Sequence, residues 1–553
     1  MRSPAPRALL ATASVAVALA AADTYIVVLA LTDMMRGVGV GVDALQRATP
    51  IISGFLVGYV AVLPLVGRLA DLVDRQRILL GCLVVFVVGS AVTALAVELP
   101  VLVAGRVVQG VGGGGLVPAT LALVADLWPA GRRGLPLGVV GAVQELGAVL
   151  GPVLGAMVLV VADWRAIFWV AAGAGVVLAA LVVLAGGGTP RPRALPSVLG
   201  LLAAGAGCLA LAAPEALRTK VTLGLPFVTF GGGSSRVATP MGVLAGLLAL
   251  AALVAGMRGR WGLLRRADLP GALLLAGALG CVVVTFAAAD PAREVVGPLG
   301  VALLPVALLL GLAHLIRHRF TAEPLVPHGL VGPAMRRALA ASLLTGVALV
   351  AVVVDVPLLA RLVSGADQTE AALVLVRFLV AVPVGALAGG WAVRRLGDGP
   401  VAATGLALVA GMLVAMSAWG PGSLESAAAT VVLASAGLGV GLALAPVNDA
   451  ALAASTDASH GAASGLVVLA RMVGMVVGLA MLTGLGLNRY YSAVAALPDP
   501  TDPAALRGAA LVQVATVFRG AAVAAGAGAL VALTLGRGRR TGAPLFPSGG
   551  ARA

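Results

Sequence analysis

The stretch VALAAADTYIVVLAL, residues 17–31, places one carboxylate, Asp23, inside a run of side chains that suit a lipid bilayer. An aspartate at the centre of a membrane helix raises the free energy of insertion by about 2.5 kcal/mol or more even on the mildest scales, so such a residue usually has a functional role. The apolar run around it, residues 8–33, is longer than the apolar region of a signal peptide. The stretch therefore predicts an uncleaved membrane-spanning helix with Asp23 turned away from lipid.

Composition extends this prediction to the whole chain. Of its 553 residues, 60% are hydrophobic and 11% charged, whereas about a quarter are charged in ordinary soluble domains. The net charge of +14 would suit a nucleic-acid partner. However, the basic residues lie in short loops between apolar runs, as in RLADLVDRQR (68–77), which is typical of loops that orient membrane helices. We expect an all-α polytopic membrane protein without a nucleic-acid partner.

Sixteen apolar runs of spanning length predict two six-helix bundles with two helical hairpins between them. An even number of spans puts both termini on one side, and the excess of Lys and Arg in the loops of that side predicts cytoplasmic termini in the inner membrane. The predicted units are an N-terminal bundle (1–187), an inserted hairpin (196–257), a linker hairpin (269–316), a C-terminal bundle (330–537) and a cytoplasmic tail (538–553).

Two regions on the outer side carry further predictions. Alternation of Val221, Leu223 and Leu225 with smaller or polar residues, followed by GGGSS, predicts a small β-hairpin at about 218–238. It is either a loop that covers the bundle or a contact for outer-leaflet lipid or for a periplasmic lipid-carrying lipoprotein. Residues 488–520 predict two helices that project beyond the bilayer, as a guide for a long apolar molecule or as a purely structural extension.

Internal repetition relates the two bundles. LAAADTY (19–25) and VAVVVDVP (350–357) pair Asp23 with Asp355, and Gly147-x-x-x-Gly151 has its counterpart in Gly474-x-x-x-Gly478. Such matches in register are the signature of repeat-built transporters.

Three motifs carry a resemblance to a known family. GRLADLVDRQR (67–77), LVAGRVVQGVGGG (102–114) and GAVLGPVLGA (147–156) resemble the helix 2–3 loop, the helix 4 motif and the helix 5 antiporter motif of the major facilitator superfamily, in its fourteen-helix drug:proton antiporter branch. Asp74 stands where a glycine is usual, and Ala156 replaces the last glycine. VQELGAVLGP (143–152) and HGAASGLVVLARMVGM (460–475) further resemble the actinobacterial branch that exports triacylglycerol and lipoglycan and is also described as a multidrug efflux pump. The segment at about 190–266 lies outside the resemblance.

The resemblance implies roles for the charges inside the membrane. Asp23, Glu145 and Arg471 are expected to form an ion lock that opens when a carboxylate takes a proton, with Arg106 as a cavity-facing proton relay. The alternatives are a static buried pair that fixes helix register and, for Arg106, an anchor that reaches the interface. For the secondary intramembrane charges Asp355 and Arg377 the functional and structural interpretations stay equally open.

The resemblance also implies roles for two glycine-containing motifs. The loop residues are expected to form a conformational latch against the second bundle, and they are Gly67, Asp71, Arg75 and Arg77. The antiporter motif is expected to seal the two bundles against proton leak, while its small residues allow close helix packing and its proline bends the helix. Its residues are Gly147, Gly151, Pro152 and Gly155.

Taken together, these features favour a proton-driven exporter of lipid or other amphiphiles that works by alternating access. Only 4% of residues are aromatic, which suits acyl chains better than the ring-lined pockets of drug pumps. A multidrug:proton antiporter and a passive scramblase are the alternatives. An enzyme is not expected, because the four histidines do not cluster with acids and no metal or ATP-binding motif is present. No cofactor is expected, since each inward proton supplies about 2.3 kcal/mol per 100 mV.

Overall fold

The structure is a computed structural model that describes residues 6–40, 45–129, 131–185, 194–213, 224–230, 235–258, 260–287, 300–363, 368–499 and 502–536. Within these ranges the regular structure is helical, and 13 helices are long and apolar enough to cross a membrane. The chain is therefore a multi-pass membrane protein. The predicted tail, 538–553, lies outside the described residues.

The first six helices form one bundle. They are α1 (Pro6–Gly37), α2 (Leu45–Leu72), α3 (Arg75–Leu95), α4 (Leu99–Leu127), α5 (Gly134–Val161) and α6 (Trp164–Ala185). Helix α4 is the most deeply buried of them, because its glycines let α2 and α3 approach its backbone. This central position makes α4 the natural carrier of polar groups that must be kept from lipid.

The last six spans form the second bundle. Their helices are α12 (Pro333–Val363), α13 (Gln368–Leu379), α14 (Ala381–Leu396), α15 (Asp398–Met416), α16 (Ala427–Ala453), α17 (His460–Ala495) and α18 (Pro503–Ala532). The second span is divided into α13 and α14 at Val380. The break has a local cause, because Pro383 has no N–H to donate to the Leu379 carbonyl.

Five helices lie between the bundles along the chain. They are α7 (Ala194–Ala212), α8 (Pro240–Met257), the short α9 (Trp261–Arg266), α10 (Leu269–Ala287) and α11 (Gly300–Phe320). The apolar stretches 198–212, 240–256 and 269–285 are shorter than the 18-residue window that the 13 candidate spans satisfy. Because a span needs about 20 apolar residues, the prediction of sixteen spanning helices is supported for thirteen in the described part of the chain.

The predicted outer β-hairpin is wrong for the residues that the structure describes. Residues Leu225–Phe227 form a turn of 3₁₀ helix, and neither 224–230 nor 235–239 contains a strand. Pro226 explains the failure of the alternating pattern, since it cannot donate to a strand ladder and its φ is fixed. Val221 and Leu223, on which the pattern also rested, lie outside the described residues.

Two helices are much longer than a bilayer requires. Helix α17 has 36 residues and α18 has 30, which correspond to about 54 and 45 Å at 1.5 Å per residue. A hydrocarbon core is about 30 Å thick. Since Leu9 in α1, Met335 in α12 and Leu535 after α18 share one buried cluster, we call that end of the molecule the termini face and the opposite end the distal face. The excess length near residues 488–503 lies at the distal face, and its projection beyond the bilayer stays a prediction.

Candidate functional site

A buried polar network surrounds Asp23. The Arg106 guanidinium donates to one carboxylate oxygen at 2.6 Å, and the Gln109 amide donates to the other at 2.8 Å. Gln109 also donates to Ser90 Oγ at 2.9 Å and accepts from Arg106 at 2.6 Å. Asp23 and Arg106 are only 2% and 1% exposed. Because each charge has a partner and further hydrogen bonds, the pair can be kept inside the bundle.

The rest of the Arg106 side chain is held by its surroundings. Its Nε donates to the Ile51 carbonyl at 3.3 Å. Its guanidinium carbon lies 4.6 Å from the centre of the Phe55 ring and 5.7 Å from that of Phe168. Aromatic faces attract a cation and exclude water from it. Arg106 is therefore a fully enclosed ion-pair partner and not a side chain that extends to the interface.

The glycines of the antiporter motif position the helix that carries Asp23. A Cβ at Gly147 or Gly151 would collide with the backbone carbonyl of Ala18 or Ala22, and one at Gly155 would meet Ile26. These contacts place α5 directly on α1 within the first bundle. These glycines pack within the first bundle, while α5 meets the second bundle nearer its N-terminus, at Gly134 and Gly138; that α5 seals the two bundles against proton leak stays a prediction. Pro152 lies within the continuous helix α5, and the predicted bend there stays a prediction.

A cavity of about 90 Å³ lies between the two bundles. Glu145 of α5 and Arg471 of α17 face it from opposite bundles and attract each other electrostatically. Both side chains are buried, and within the described part of the chain Arg471 makes no direct ion pair or hydrogen bond. The remaining lining is mostly apolar, and consists of Ala21, Thr24, Phe55, Leu56, Tyr59, Gln144, Ala148, Leu349, Met472 and Met475.

The predicted lock is divided between two places. Asp23 pairs with Arg106 inside the first bundle, whereas Glu145 and Arg471 face the cavity without Asp23. The expectation that Arg106 faces the cavity is also wrong in this structure. Phe55 lines the cavity and at the same time lies against Arg106, so its ring separates the two groups of charges.

The latch residue Asp71 caps a helix of the opposite bundle. Its two oxygens accept from the backbone N–H groups of Gly461 at 2.6 Å and Ala462 at 2.9 Å. These groups belong to the first turn of α17, where the helix dipole favours an anion. Arg75 lies 3.6 Å from Asp71 and donates to Asp126 at 3.0 Å. The latch thus joins α2 to α17 by charge-assisted hydrogen bonds.

Backbones touch where the latch closes. A Cβ at Gly67 would collide with the Gly461 carbonyl, and the reverse collision would follow at Gly461. A second contact of the same kind joins α5 to α14, where a Cβ at Gly134 or Gly138 would meet the backbone of Gly390 or Ala386. Both contacts lie between the cavity and the termini face. The cavity is therefore closed towards the termini face in this structure.

Two other latch positions have local roles. Asp74, the departure from the usual glycine, caps the N-terminus of α3 by accepting from the Arg77 N–H at 3.2 Å. The Arg77 side chain is exposed and forms no hydrogen bond or ion pair with the second bundle among the described residues. The role of Arg77 in the latch stays a prediction.

The secondary charges do not meet. Asp355 is 3% exposed, and its Oδ2 accepts no hydrogen bond from the residues that the structure describes. Arg377 instead donates to the Leu424 carbonyl at 2.9 Å and to Thr430 at 3.2 Å. The second bundle thus has no counterpart of the Asp23 network among its described residues.

Sequence reasoning missed three participants in the site. Gln109 was quoted within a motif without a role, and Ser90 and Tyr59 were not singled out. A signal was present, because each is a polar side chain within an apolar span and such groups seek partners in the bundle interior. Their partners depend on how each helix is rotated, which the single sequence does not give.

Comparisons with known proteins agree with this architecture. The family model described as Major Facilitator Superfamily matches residues 13–315. The chain is 38% identical over 504 residues to a triacylglyceride transporter of Mycolicibacterium hassiacum, with 88% of this chain and 81% of that protein covered. It is 34% identical over 513 residues to a triacylglyceride transporter of Mycobacterium tuberculosis, with 90% and 86% covered.

Solved structures show the same fold at low sequence identity. The human organic anion transporter MFSD10 superposes with a TM-score of 0.59 at 15% identity, covering 96% of this chain and all of that one. The proton:xylose symporter XylE gives 0.54 at 13% identity, with 94% of each chain covered. With the family match and the curated relatives, these findings indicate a transporter rather than an enzyme, and the chain belongs to the major facilitator superfamily.

Proposed function

We propose that this protein is a proton-coupled exporter that moves lipid or other apolar and amphiphilic molecules out of the cytoplasmic membrane by alternating access. The observation that carries proton coupling is the buried Asp23–Arg106 pair at 2.6 Å beside an inter-bundle cavity. Intramembrane carboxylates of this kind mark proton relays in pumps and transporters. The lipid assignment is supported by the relatives, which are named triacylglyceride transporters.

Coupling follows from the division of the charges. When Asp23 takes a proton, Arg106 loses its only charged partner among the described residues, and an uncompensated buried cation is costly. The electrostatic attraction between Asp23 of α1 and Arg106 of α4 is then lost, so α1 can move relative to α4. Because the Gly147 and Gly151 contacts join α1 to α5, such a movement reaches Glu145, which faces Arg471 of the other bundle. Protonation in one bundle would thus alter the attraction between the two bundles.

The size of the cavity supports a closed step of the proposed transport cycle. Its volume is about 90 Å³. It is far too small for an acyl lipid. The substrate would therefore enter in a second conformation, in which the α2–α17 and α5–α14 contacts separate and the termini face opens.

Asp71 sets the balance between these conformations. Its hydrogen bonds to Gly461 and Ala462 exist only while α2 and α17 touch. The closed termini face would be the cytoplasmic side, as the distribution of basic loops predicts. Release would then occur at the distal face, towards the long ends of α17 and α18. Those ends either guide the lipid towards an acceptor such as a lipid-carrying lipoprotein or stiffen the structure.

Two other functions use the same scaffold. A multidrug:proton antiporter would share the Asp23 network and differ only in cargo. A passive scramblase would need no gradient, and the buried ion pair would then serve only to fix helix register.

Transport in reconstituted vesicles distinguishes these possibilities. Vesicles with an imposed proton gradient receive labelled triacylglycerol, labelled phospholipid or a cationic dye in turn. We expect gradient-dependent movement of a lipid, abolished in Asp23→Asn and retained in Asp33→Asn, a control on the exposed end of the same helix. Movement of the dye alone would favour the multidrug function. Lipid movement that is equal without a gradient would refute proton coupling.

A further inference from the structure

A second, larger cavity lies at the base of the linker hairpin, away from the inter-bundle cavity. It measures about 650 Å³ and is formed by the residues that end α9, begin α10 and follow α11. Three guanidinium groups and one carboxylate line it, with apolar and small side chains between them. The lining residues are Arg265, Arg266, Leu269, Pro270, Arg317, Thr321, Ala322 and Glu323.

The three arginines differ in whether a neighbouring carboxylate neutralises their charge. Arg317 is held by the buried Asp268 at 2.7 Å. Arg266 donates to Glu323 at 3.2 Å, in an exposed pair. Arg265 is exposed and has no ion pair or hydrogen bond from its side chain to any described residue. The cavity therefore has excess positive charge, and one of its guanidinium groups is free to take an anion.

The cavity lies at the ends of the spanning helices, where a membrane surface is expected. Glu323 lies 3.7 Å from Arg68, in the last turns of α2 at the termini face. From this level the outer side of α11 continues into the bilayer as an apolar surface, and Leu312, Leu315 and Ile316 are 50 to 61% exposed there. Leu273 of α10 is likewise 63% exposed. A charged pocket at the surface is thus continuous with an apolar wall at acyl-chain depth.

We propose that this cavity binds the headgroup of an anionic glycerophospholipid. The planar fork of an arginine matches the oxygens of a phosphate, and basic pockets beside membrane helices on the cytoplasmic side are recurrent lipid headgroup sites. The exposed leucines of α10 and α11 provide the surface for the acyl chains, which a free phosphate would not use. Phosphate oxygens would bind Arg265 and compete with Glu323 for Arg266.

Phosphatidylglycerol and phosphatidylcholine serve as probes. Native mass spectrometry of the delipidated full chain in detergent measures the affinity of each lipid, with inorganic phosphate as a competitor. We expect tighter binding of phosphatidylglycerol, and a loss of roughly tenfold or more in the double variant Arg265→Gln/Arg266→Gln, since each surface arginine contributes about 1 kcal/mol to an anionic lipid. Arg319→Gln is the matched control, because Arg319 is an exposed residue of the same α11 end outside the cavity.

Glu323→Gln is expected to bind the lipid more tightly than the parent protein. A misfolded variant would not produce this result. Without the competing carboxylate, phosphatidylglycerol should bind severalfold more tightly. The proposal is overturned if Arg319→Gln loses as much affinity as the double variant, if phosphatidylcholine binds equally well, or if Glu323→Gln leaves affinity unchanged. Displacement of the lipid by millimolar inorganic phosphate would also overturn it, because the site would then recognise phosphate alone.

Discussion

Asp23 and Asp355 occupy corresponding helices of two related bundles, yet their surroundings are opposite. Asp23 accepts from Arg106 and Gln109, and both of its oxygens are satisfied. Asp355 is equally buried, but its Oδ2 has no hydrogen-bond partner among the described residues. The difference originates in the fourth helix of each bundle. Helix α4 carries Arg106 and Gln109, whereas LASAGLGVGLALAP (433–446) in α16 carries neither type of residue.

This comparison shows that a repeat in sequence does not imply a repeat in the contacts of its buried charges. The first bundle keeps an ion pair within itself, and the second contributes Arg471 to the cavity. The contacts at the termini face are asymmetric too, since α2 meets α17 through Asp71 whereas the glycine contacts of α5 with α14 involve only backbone and small side chains. The polar chemistry is therefore concentrated in the first bundle.

The largest expected effect comes from breaking the buried pair. Asp23→Leu would leave Arg106 buried without a carboxylate, which should lower the free energy of unfolding by about 3–5 kcal/mol. Thermal unfolding in detergent, followed by tryptophan fluorescence, measures the change. Asp33→Leu, at an exposed position of α1, should change stability by no more than about 0.5 kcal/mol. Equal losses of stability in the two variants would show that the ion pair with Arg106 does not account for the contribution of Asp23 to stability.

A smaller effect is expected at the latch. Asp71→Ala removes two hydrogen bonds that form only in the conformation where α2 touches α17, so it changes the balance between two conformations rather than the folding of either bundle. The termini face should therefore open more often. Spin labels at Arg77→Cys and Asp457→Cys, two exposed sites on opposite bundles, should report a longer distance. The native cysteines are replaced beforehand, and they are Cys82, Cys208 and Cys281.

Asp126→Ala is the matched control for the latch. Asp126 binds Arg75, as Asp71 does, but among the described residues it accepts no hydrogen bond from the first turn of α17. The label distance should stay that of the parent protein. An unchanged distance in Asp71→Ala would instead assign the closed face to the glycine contacts alone.

The smallest expected effect concerns the second bundle. Asp355→Leu removes a buried carboxylate that has no counter-ion among the described residues. The substitution therefore leaves no opposite charge unpaired. Apolar replacement of buried charge is often neutral or stabilising, and stability should fall by less than about 1 kcal/mol or rise. The same unfolding assay applies. A loss as large as that of Asp23→Leu would reveal a partner and would remove the contrast between the bundles.

Much of the fold was predictable, because apolar length and glycine content directly reflect the bilayer and helix packing. The family resemblance is confirmed, and the relation between the bundles that the repeat around Asp23 and Asp355 indicates stays a prediction. The β-hairpin was predicted from an alternating pattern that ended at Pro226. A short alternating pattern next to a proline is therefore weak evidence for a strand. The number of spanning helices was harder to predict between the two bundles, because the apolar stretches there are close to the minimum length of a membrane span.

The individual site residues were easier to predict than their pairings. Each intramembrane charge is conspicuous in an apolar run, so Asp23, Arg106 and Glu145 were all found. Which charges meet depends on helix rotation and on depth differences of a single turn, and these follow from contacts such as Gly147 with Ala18. For that reason Asp23 was grouped with Arg471 although its partner is Arg106.

The central claim is that the proton is coupled through Asp23 in the first bundle. Its most direct test is proton uptake driven by an outward substrate gradient, recorded with a pH-sensitive dye inside vesicles for the parent protein, Asp23→Asn and Asp33→Asn. We expect substrate-dependent proton movement in the parent protein and in Asp33→Asn, and none in Asp23→Asn. Undiminished proton movement in Asp23→Asn would contradict the account and would place the coupling group elsewhere.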